Sequence, residues 1–332
     1  MHAEAYRSLP EVDLVACCDL ELARAETFAR QHGGTAYPDV ASMLRDADLS
    51  MACVLTPARA HEEAVIACAH AGIHVLCEKP LALSVEACDR MILACQQANV
   101  MLGYGASYRF LPAVTAAKEL IDAGAIGEIL VMRESAIGGA GVERRETLAA
   151  SHYPDGGPGG SGMGLIDHGI HLVDLFSWLA GAAVTRTCGR GNLAGQRQLP
   201  EYLILEYANG ALGELVYEDG TFPIELPTEG IFSGGSGWDL DGLVAPGGWQ
   251  AHPGSIHIHG TRGSLRIFHY ANALFLRNQE GVRQVKVPEP GAPVQFALQI
   301  RAFVEAVRSG RPPPVPAAAG REACRLILSV YQ

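Results

Sequence analysis

The stretch IHVLCEKP at residues 73–80 decides the fold of the first third of the chain. It begins as a mostly apolar run and ends with two charged residues and a proline. Similar runs alternate with helical patterns: the runs cover residues 12–18, 49–55 and 100–104, and the helical patterns cover residues 21–31, 60–71 and 85–98. Apolar strands joined by helices form a parallel sheet that is covered on both faces. The pattern therefore predicts a doubly wound α/β domain of the Rossmann type.

After residue 105 the pattern changes to strands joined by short turns. Asn209-Gly210, between two of these strands, is a strong hairpin signal. The predicted strands cover residues 128–135, 202–207, 212–217, 255–259, 265–269 and 273–276, and the predicted helices cover 112–123, 165–179, 295–308 and 317–330. We predict a dinucleotide-binding domain over residues 1–105 and an α+β domain with a large, mostly antiparallel sheet over residues 106–332. The last helix is expected to pack back on the first domain.

Composition restricts the function classes. The chain has 332 residues, 48% hydrophobic and 18% charged, which is enough apolar material for two well-buried domains. Its formal net charge of −11 argues against a nucleic-acid or acidic-membrane partner. No apolar run reaches the roughly 18 residues that a membrane-spanning helix needs. The 9 cysteines lack metal-like spacing and fit reduced thiols in a cytoplasmic protein.

The start of the chain departs from the usual dinucleotide-binding pattern. That pattern opens with a strand, a glycine-rich turn and a helix, and an acidic residue follows about 20 residues after the glycines. Asp19, at the end of the first apolar run, fits the acidic position, but no glycine precedes it. Residues 2–9 fit the later part of the first helix. We therefore expect the first strand and the glycine-rich loop to be missing, and interpret the chain as truncated.

Two groups of residues in the first domain carry charged side chains or backbone groups that suit ligand binding. Glu78-Lys79-Pro80 follows a predicted strand, and the carboxyl ends of parallel strands form the ligand crevice of a doubly wound fold. A lysine there can direct its ammonium group at a substrate, although a solvated ion pair is the alternative. Thr56-Pro57 opens the helix that carries His61, and the free backbone amides at a helix start suit a phosphate or ribose. A plain helix cap explains this second group nearly as well.

In the second domain, Asp167, His171 and Asp174 recur at helical spacing within a strongly apolar helix. Ionisable groups on a mostly buried helix are costly unless they are paired, which favours a functional site. Two alternatives remain, namely a metal site built from His168, His171 and a carboxylate, and a structural histidine network. A second histidine pair, His257 and His259, lies on a predicted strand that runs into a turn. We predict no metal at either place.

Taken in order, these residues resemble the glucose-fructose oxidoreductase and inositol dehydrogenase (Gfo/Idh/MocA) family. That family has an Asp after its second strand, Thr-Pro followed by His after its fourth, Glu-Lys-Pro after its fifth, and a glycine-rich run leading to Asp-x-Gly-x-His-x-x-Asp. The matching positions are Asp19, Thr56-Pro57 with His61, Glu78-Lys79-Pro80 and Asp167-x-Gly169-x-His171-x-x-Asp174. Residues 259–265 also resemble a turn of the family's C-terminal sheet. The resemblance covers nearly the whole chain, apart from its opening.

The resemblance implies an NAD-dependent dehydrogenase that acts on a secondary alcohol or ketone of a sugar or cyclitol such as inositol. His171 would be the general base, because imidazole titrates near the working pH. Lys79 would hydrogen-bond the reacting oxygen, stabilise the alkoxide and relay the proton. Asp167 would orient the substrate, and Arg109 and His152 would contact its hydroxyl groups.

The cofactor contacts that the resemblance implies lie in the first domain. Asp19 and Glu78 would accept hydrogen bonds from the riboses, and an acidic group at position 19 would repel a 2′-phosphate. NAD is therefore expected in preference to NADP. Thr56, Pro57, His61 and Lys79 would complete the contacts.

Three alternatives to a net dehydrogenase remain. The first is elimination or glycoside cleavage assisted by tightly held NAD. The second is a non-catalytic sensor that binds a nucleotide or sugar. The third is an inactive fragment, or a subunit completed by another chain. The antiparallel sheet is the surface on which we expect self-association into a dimer or tetramer.

Overall fold

The computed structural model describes residues 1–137, 164–193, 199–218, 255–288 and 294–331, together with the backbone of residues 231–232 and 238–239. The chain forms two compact units. The first contains Met1–Phe110 and Pro290–Cys324, and the second contains Leu111–Glu289 and Arg325–Gln332. The predicted boundary between residues 105 and 106 stays a prediction, as does the docking of the last helix.

The first unit begins with an alternation of helices and strands. In chain order these are α1 (His2–Arg7), β1 (Ala16–Cys18), α2 (Leu22–His32), β2 (Thr35–Tyr37), α3 (Val40–Asp46), β3 (Met51–Val54), α4 (His61–His70), β4 (His74–Cys77), α5 (Val85–Gln97) and β5 (Leu102–Tyr104). The α/β prediction is confirmed, although it missed β2 and α3. A local signal for α3 was present, because the Asp39 carboxylate caps it by accepting the Ser42 N–H at 2.7 Å.

The strands of this unit pair in parallel, as predicted, but they form two sheets rather than one. β1 pairs with β2, and β3, β4 and β5 form a three-stranded sheet. The sequence analysis predicted a single sheet and missed β2, which is short and is not marked by an apolar run. In the larger sheet Val54 pairs with Cys77, and Cys77 pairs with Tyr104. The carboxyl ends of the three strands are therefore level along one edge.

The second unit contains most of the antiparallel structure. Its elements are α6 (Pro112–Asp122), β6 (Ile129–Ile137), a π-helical turn (Leu165–Gly169), α7 (Ile170–Ala180), β7 (Val184–Arg190), β8 (Glu201–Tyr207), β9 (Leu212–Glu218), β10 (Ile231–Phe232), β11 (Trp238–Asp239), β12 (Ile256–Gly260), β13 (Ser264–Phe268), β14 (Ala273–Asn278) and β15 (Gly281–Val285). Eight strands form one sheet in the order β15-β14-β13-β12-β6-β9-β8-β7. Among the strands that the structure describes in this sheet, only β6 and β9 pair in parallel, so the prediction of a mostly antiparallel sheet is confirmed. The sequence patterns missed β7, β10, β11 and β15.

One face of the large sheet packs on α7. In β8, Glu201, Leu203, Leu205 and Tyr207 are buried and alternate with more exposed residues. Gly213 of β9 brings the sheet close to this helix, since a Cβ there would lie 3.3 Å from the Phe176 ring. The hairpin between β8 and β9 turns at Asn209-Gly210 as predicted, and Gly210 has a φ of 86°. The sheet thus fixes the helix that carries the predicted catalytic histidine.

Two helices close the chain, α8 (Val294–Ser309) and α9 (Ala317–Leu328). Within the first unit, α8 and α1 pack on β4. Their shared core consists of Ala5, Leu9, Leu76, Ile300, Phe303 and Val304. Gly103 of β5 permits this packing, because a Cβ there would lie 2.7 Å from the Phe303 ring. Among the helices that the structure describes, none is long and apolar enough to cross a membrane.

Candidate active site

Each predicted cofactor residue of the first unit lies just beyond a strand or on the helix that follows it. Asp19 follows β1, Thr56 and Pro57 follow β3, and Glu78 and Lys79 follow β4. Because β3 and β4 are parallel and in register, the segments after them leave the sheet at the same edge. The structure therefore brings the Thr56 and Glu78 segments together at the edge where doubly wound folds bind ligands.

Glu78 is fixed at this edge by two contacts. One carboxylate oxygen lies 2.9 Å from Nε2 of His2 on α1, and the other accepts the Lys79 N–H at 3.0 Å. The side chain is 21% exposed, so it is mostly shielded from solvent. Glu78 thus has a defined orientation before any ligand binds.

His61 joins the two segments at the sheet edge. Its ring is buried, with Nε2 2.7 Å from the Thr56 carbonyl and Nδ1 3.0 Å from the Pro80 carbonyl. Each contact holds one of the two segments by its backbone. The role of His61 as a cofactor contact stays a prediction, and the observed contacts give it the separate task of fixing the positions of Thr56 and Lys79.

Gly105, directly after β5, lies very close to the backbone of the segment that follows β4, at the same edge of the sheet. A Cβ at this position would lie 2.8 Å from the Glu78 Cα and 2.9 Å from the Cys77 carbonyl oxygen. Only glycine fits there without movement of the backbone. Arg109 follows in the short 3₁₀ turn Ser107–Phe110 and is half-buried, as is Lys79.

Asp19 lies at the end of the smaller sheet. Its Oδ1 accepts the Glu21 N–H at 2.8 Å, which turns the chain into α2. The side chain is half-buried. Its role as a contact for ribose hydroxyl groups stays a prediction.

In the second unit, Asp167 and His171 lie in two different helical geometries. Asp167 belongs to the π-helical turn, in which the Gly169 N–H donates to the Gly164 carbonyl at 3.1 Å, whereas His171 lies in the regular helix α7. The helix predicted over residues 165–179 is therefore regular only from Ile170 onwards, and the shared face of Asp167 and His171 stays a prediction. His171 and Asp174 do share regular α-helical spacing, and both are buried. Single π turns occur frequently at functional sites.

The beginning of the π turn is capped by residues that sequence reasoning missed. The Glu201 carboxylate accepts the Leu165 N–H at 2.7 Å and the Asn192 N–H at 2.7 Å. The Tyr331 hydroxyl donates to the same carboxylate at 3.0 Å, and its oxygen lies 3.2 Å from the Ile166 nitrogen. A buried anion at a helix start satisfies backbone donors that have no partner inside the helix. These contacts fix the segment that carries Asp167.

A second group of buried polar residues lies beside the π turn. Nε2 of His168 is 3.2 Å from one Glu134 carboxylate oxygen, and the Tyr217 hydroxyl donates to the other at 2.7 Å. The rings of His168 and His269 have centroids 6.1 Å apart. Burial, followed by the charge of Glu134, raises the pKa of Tyr217 well above its ordinary range. Burial, followed by the proximity of His168, lowers the pKa of His269 well below its ordinary value, so this imidazole is neutral.

The remaining predicted residues are placed as follows. His152 lies outside the described residues. His257 and His259 occupy β12, where His257 lies 2.9 Å from the Ser255 hydroxyl and the more exposed His259 lies 3.1 Å from the Ser264 hydroxyl. The prediction that this pair binds no metal stays a prediction.

Sequence comparison matches both units to profiles of one family. Residues 1–106 match "Oxidoreductase family, NAD-binding Rossmann fold", and residues 118–332 match "Oxidoreductase family, C-terminal alpha/beta domain". The chain is 30% identical to the levoglucosan dehydrogenase of Pseudarthrobacter phenanthrenivorans over 79% of its own length and 66% of that protein. It is 30% identical to the D-glucoside 3-dehydrogenase of Escherichia coli over 54% of its length and 50% of that protein. The chain thus spans about half to two thirds of the curated relatives it matches.

Solved structures show the same fold. The aldose-aldose oxidoreductase of Caulobacter crescentus, crystallised with glycerol, superposes with a TM-score of 0.78 at 20% identity, covering 100% of this chain and 92% of that one. A levoglucosan dehydrogenase in complex with NADH and levoglucosan superposes with a TM-score of 0.77 at 22% identity, covering 99% and 93%. At these identities the likeness concerns the fold alone.

Proposed function

This chain belongs to the oxidoreductase family that joins an NAD-binding Rossmann domain to a C-terminal α/β domain, and from that premise we propose that it transfers a hydride between NAD and a secondary alcohol or ketone of a sugar or cyclitol. The observation that supports this most is the placement of His171. Its imidazole is only 9% exposed on an apolar helix, next to a π turn that Glu201 holds in place. An ionisable group kept in such surroundings is expected to have a chemical task.

The residues of the first unit fit the cofactor. NAD supplies the hydride acceptor when it is bound. Asp19, directly after β1, offers a carboxylate to ribose hydroxyl groups, and its negative charge disfavours the additional phosphate of NADP. Glu78 is already oriented by His2 and by the Lys79 N–H, so it can accept from a second ribose without reordering. His61 and Gly105 keep the surrounding segments in place.

The proton chemistry is assigned to three side chains. His171 accepts the hydroxyl proton as the alcohol is oxidised, and returns it in the reverse direction. Asp167, held in the π turn, orients a hydroxyl group of the substrate. Lys79 donates a hydrogen bond to an oxygen that gains negative charge, which stabilises the alkoxide. Arg109 and His152 remain predicted contacts for further hydroxyl groups.

The relatives indicate the substrate class. Their names include a levoglucosan dehydrogenase, a D-glucoside 3-dehydrogenase and the Inositol 2-dehydrogenase 2 of Saccharopolyspora erythraea. These substrates share a six-membered ring that carries several secondary hydroxyl groups. We therefore assign this chain a polyhydroxylated ring of the same kind. Its acidic composition and its 9 cysteines, all free thiols, favour a cytoplasmic location. We assign it a homo-oligomeric state, dimer or tetramer, that light scattering can measure.

The test is a substrate screen with the purified chain. Levoglucosan, methyl glucosides and inositol isomers are each incubated with NAD and with NADP, and both the reduced cofactor and the sugar product are measured. Stoichiometric NADH and a keto product are expected with at least one ring polyol. If the sugar is consumed while NAD is recovered unchanged, the net reaction is elimination or glycoside cleavage. If NAD binds but no polyol reacts or binds, the dehydrogenase proposal fails and a sensor becomes the better explanation.

A further inference from the structure

Three buried side chains of the second unit converge from separate segments. Glu134 lies on β6, His168 in the π turn, and His269 directly after β13. They are 1%, 4% and 2% exposed. One potential ligand atom from each residue lies within 4.8 Å of the others. Among the residues that the structure describes, this is the only group of three or more His, Cys, Asp or Glu side chains placed in this way. We propose that these three residues form a binding site for a divalent transition-metal ion, with zinc as its expected occupant.

The geometry of the first pair already suits a bound ion. Zinc bonds to imidazole nitrogen and carboxylate oxygen are about 2.0–2.1 Å long, so two ligands at a tetrahedral angle lie roughly 3.3 Å apart. The observed separation between Glu134 Oε1 and His168 Nε2 is 3.2 Å. His269 has a ligand nitrogen within 4.8 Å of both, and it would complete the set by moving closer by at most roughly 1.5 Å. Two imidazoles and one carboxylate are a donor set that zinc and related ions prefer.

The surroundings prepare the ligand atoms for a cation. The Tyr217 hydroxyl donates to Glu134 Oε2 at 2.7 Å, which leaves Oε1 directed at His168. Such hydrogen bonds from a second layer of residues orient metal ligands and raise affinity. A dication would also neutralise the negative charge of a carboxylate that is almost fully buried.

The site has a clear structural consequence. An ion held by Glu134, His168 and His269 would join β6, the π turn and the end of β13. Asp167 precedes His168 directly, so the ion would limit the movement of the proposed substrate-orienting residue. Three protein ligands leave one coordination position open. This inference stands apart from the proposed dehydrogenase activity, because metal binding is measured without turnover.

The experiment measures metal content and affinity on a tag-free chain. Elemental analysis of the purified protein should find about one zinc per chain. After removal of the metal, Zn²⁺ should raise the melting temperature, and Co²⁺ should give the visible absorption bands of a low-coordinate site. His269→Gln and Glu134→Gln should each weaken Zn²⁺ binding by well over 100-fold, and Tyr217→Phe by about 10–100-fold. His259→Gln, on the exposed part of β12, is the matched control and should bind as the wild type does.

Two results would overturn the proposal. The first is a wild-type chain that carries no metal and shows no shift in melting temperature with Zn²⁺, Co²⁺ or Mn²⁺. The second is zinc binding that His269→Gln leaves unchanged, which would place the ion elsewhere. If Glu134→Gln does not fold, His269→Gln and Tyr217→Phe still decide the question. In either overturning result, the contact between Glu134 and His168 is a structural hydrogen bond.

Discussion

The carboxylate of Glu201 accepts the backbone N–H of Leu165 at 2.7 Å, across 36 positions of sequence. Two further donors, the Asn192 N–H and the Tyr331 hydroxyl, converge on the same buried group. Glu201→Gln replaces an acceptor-only group with an amide that must turn its NH₂ towards a donor. We expect the free energy of unfolding to fall by about 2–3 kcal/mol, measured by urea titration and fluorescence of Trp178 on α7.

The matched control for this change lies on the same strand. Glu206 is 48% exposed and contacts Arg186 at 3.4 Å. Glu206→Gln should therefore alter the free energy of unfolding by less than about 0.5 kcal/mol. Equal effects of the two substitutions would show that the cap on the π turn adds no stability.

Substitution of the proposed proton-handling residues should separate turnover from cofactor binding. Asp167→Asn and His171→Ala should each lower kcat by about 10²–10⁴-fold, the usual contribution of a positioned acid or base. The Kd for NAD should change little, since both residues belong to the second unit. Asp122→Asn, at the exposed end of α6, is the control. Wild-type turnover in either variant would remove that residue from the mechanism.

Cofactor preference depends on the charge at position 19. Asp19→Asn removes the carboxylate that would repel the 2′-phosphate of NADP. The ratio of the Kd values for NADP and NAD should fall by at least about tenfold, equivalent to roughly 1.4 kcal/mol. Fluorescence titration with both nucleotides measures the ratio. An unchanged ratio would mean that another group discriminates between them.

The alternation of buried and exposed positions along each strand could have located the polar residues that sequence reasoning missed. Glu134 shares its side of β6 with the buried Met132 and Ala136. In the same way Glu201 shares its side of β8 with Leu203 and Leu205, and Tyr217 and His269 continue the buried sides of β9 and β13. A polar residue at an inward position needs a partner, so the pattern marks each of them as part of a buried network.

The identity of the partners could not be predicted, because it depends on strand order. β6 pairs with β9 and β12, which follow it by dozens of residues, and the pairing brings Tyr217 to Glu134. Local periodicity contains no information about such distant neighbours. The π turn was missed for a related reason. Helical spacing predicted one regular helix over residues 165–179, whereas the hydrogen bond from the Gly169 N–H to the Gly164 carbonyl makes its first turn a π turn.

The stability of the first unit should depend on pH through His74. Its Nδ1 accepts the Met101 N–H at 2.9 Å, a bond that requires this nitrogen to be unprotonated. Burial lowers the pKa of His74 from its ordinary value of 6.5. The unfolded chain therefore takes up a proton at higher pH than the folded chain does. The contribution of His74 to the free energy of unfolding is fully present above about pH 6.5. It is lost as the pH falls through the folded-state pKa, by at most about 1.4 kcal/mol per pH unit.

His74→Asn distinguishes the effect of protonation from that of the hydrogen bond. The Asn Oδ1 occupies the place of Nδ1 and still accepts the Met101 N–H, but the amide does not titrate. Urea unfolding at pH 8 and pH 5 should show a smaller difference for the variant than for the wild type. His70→Asn, at the exposed end of α4, is the matched control for loss of a histidine. If His74→Asn and His70→Asn keep the same pH dependence as the wild type, the acid sensitivity of this unit arises from another group.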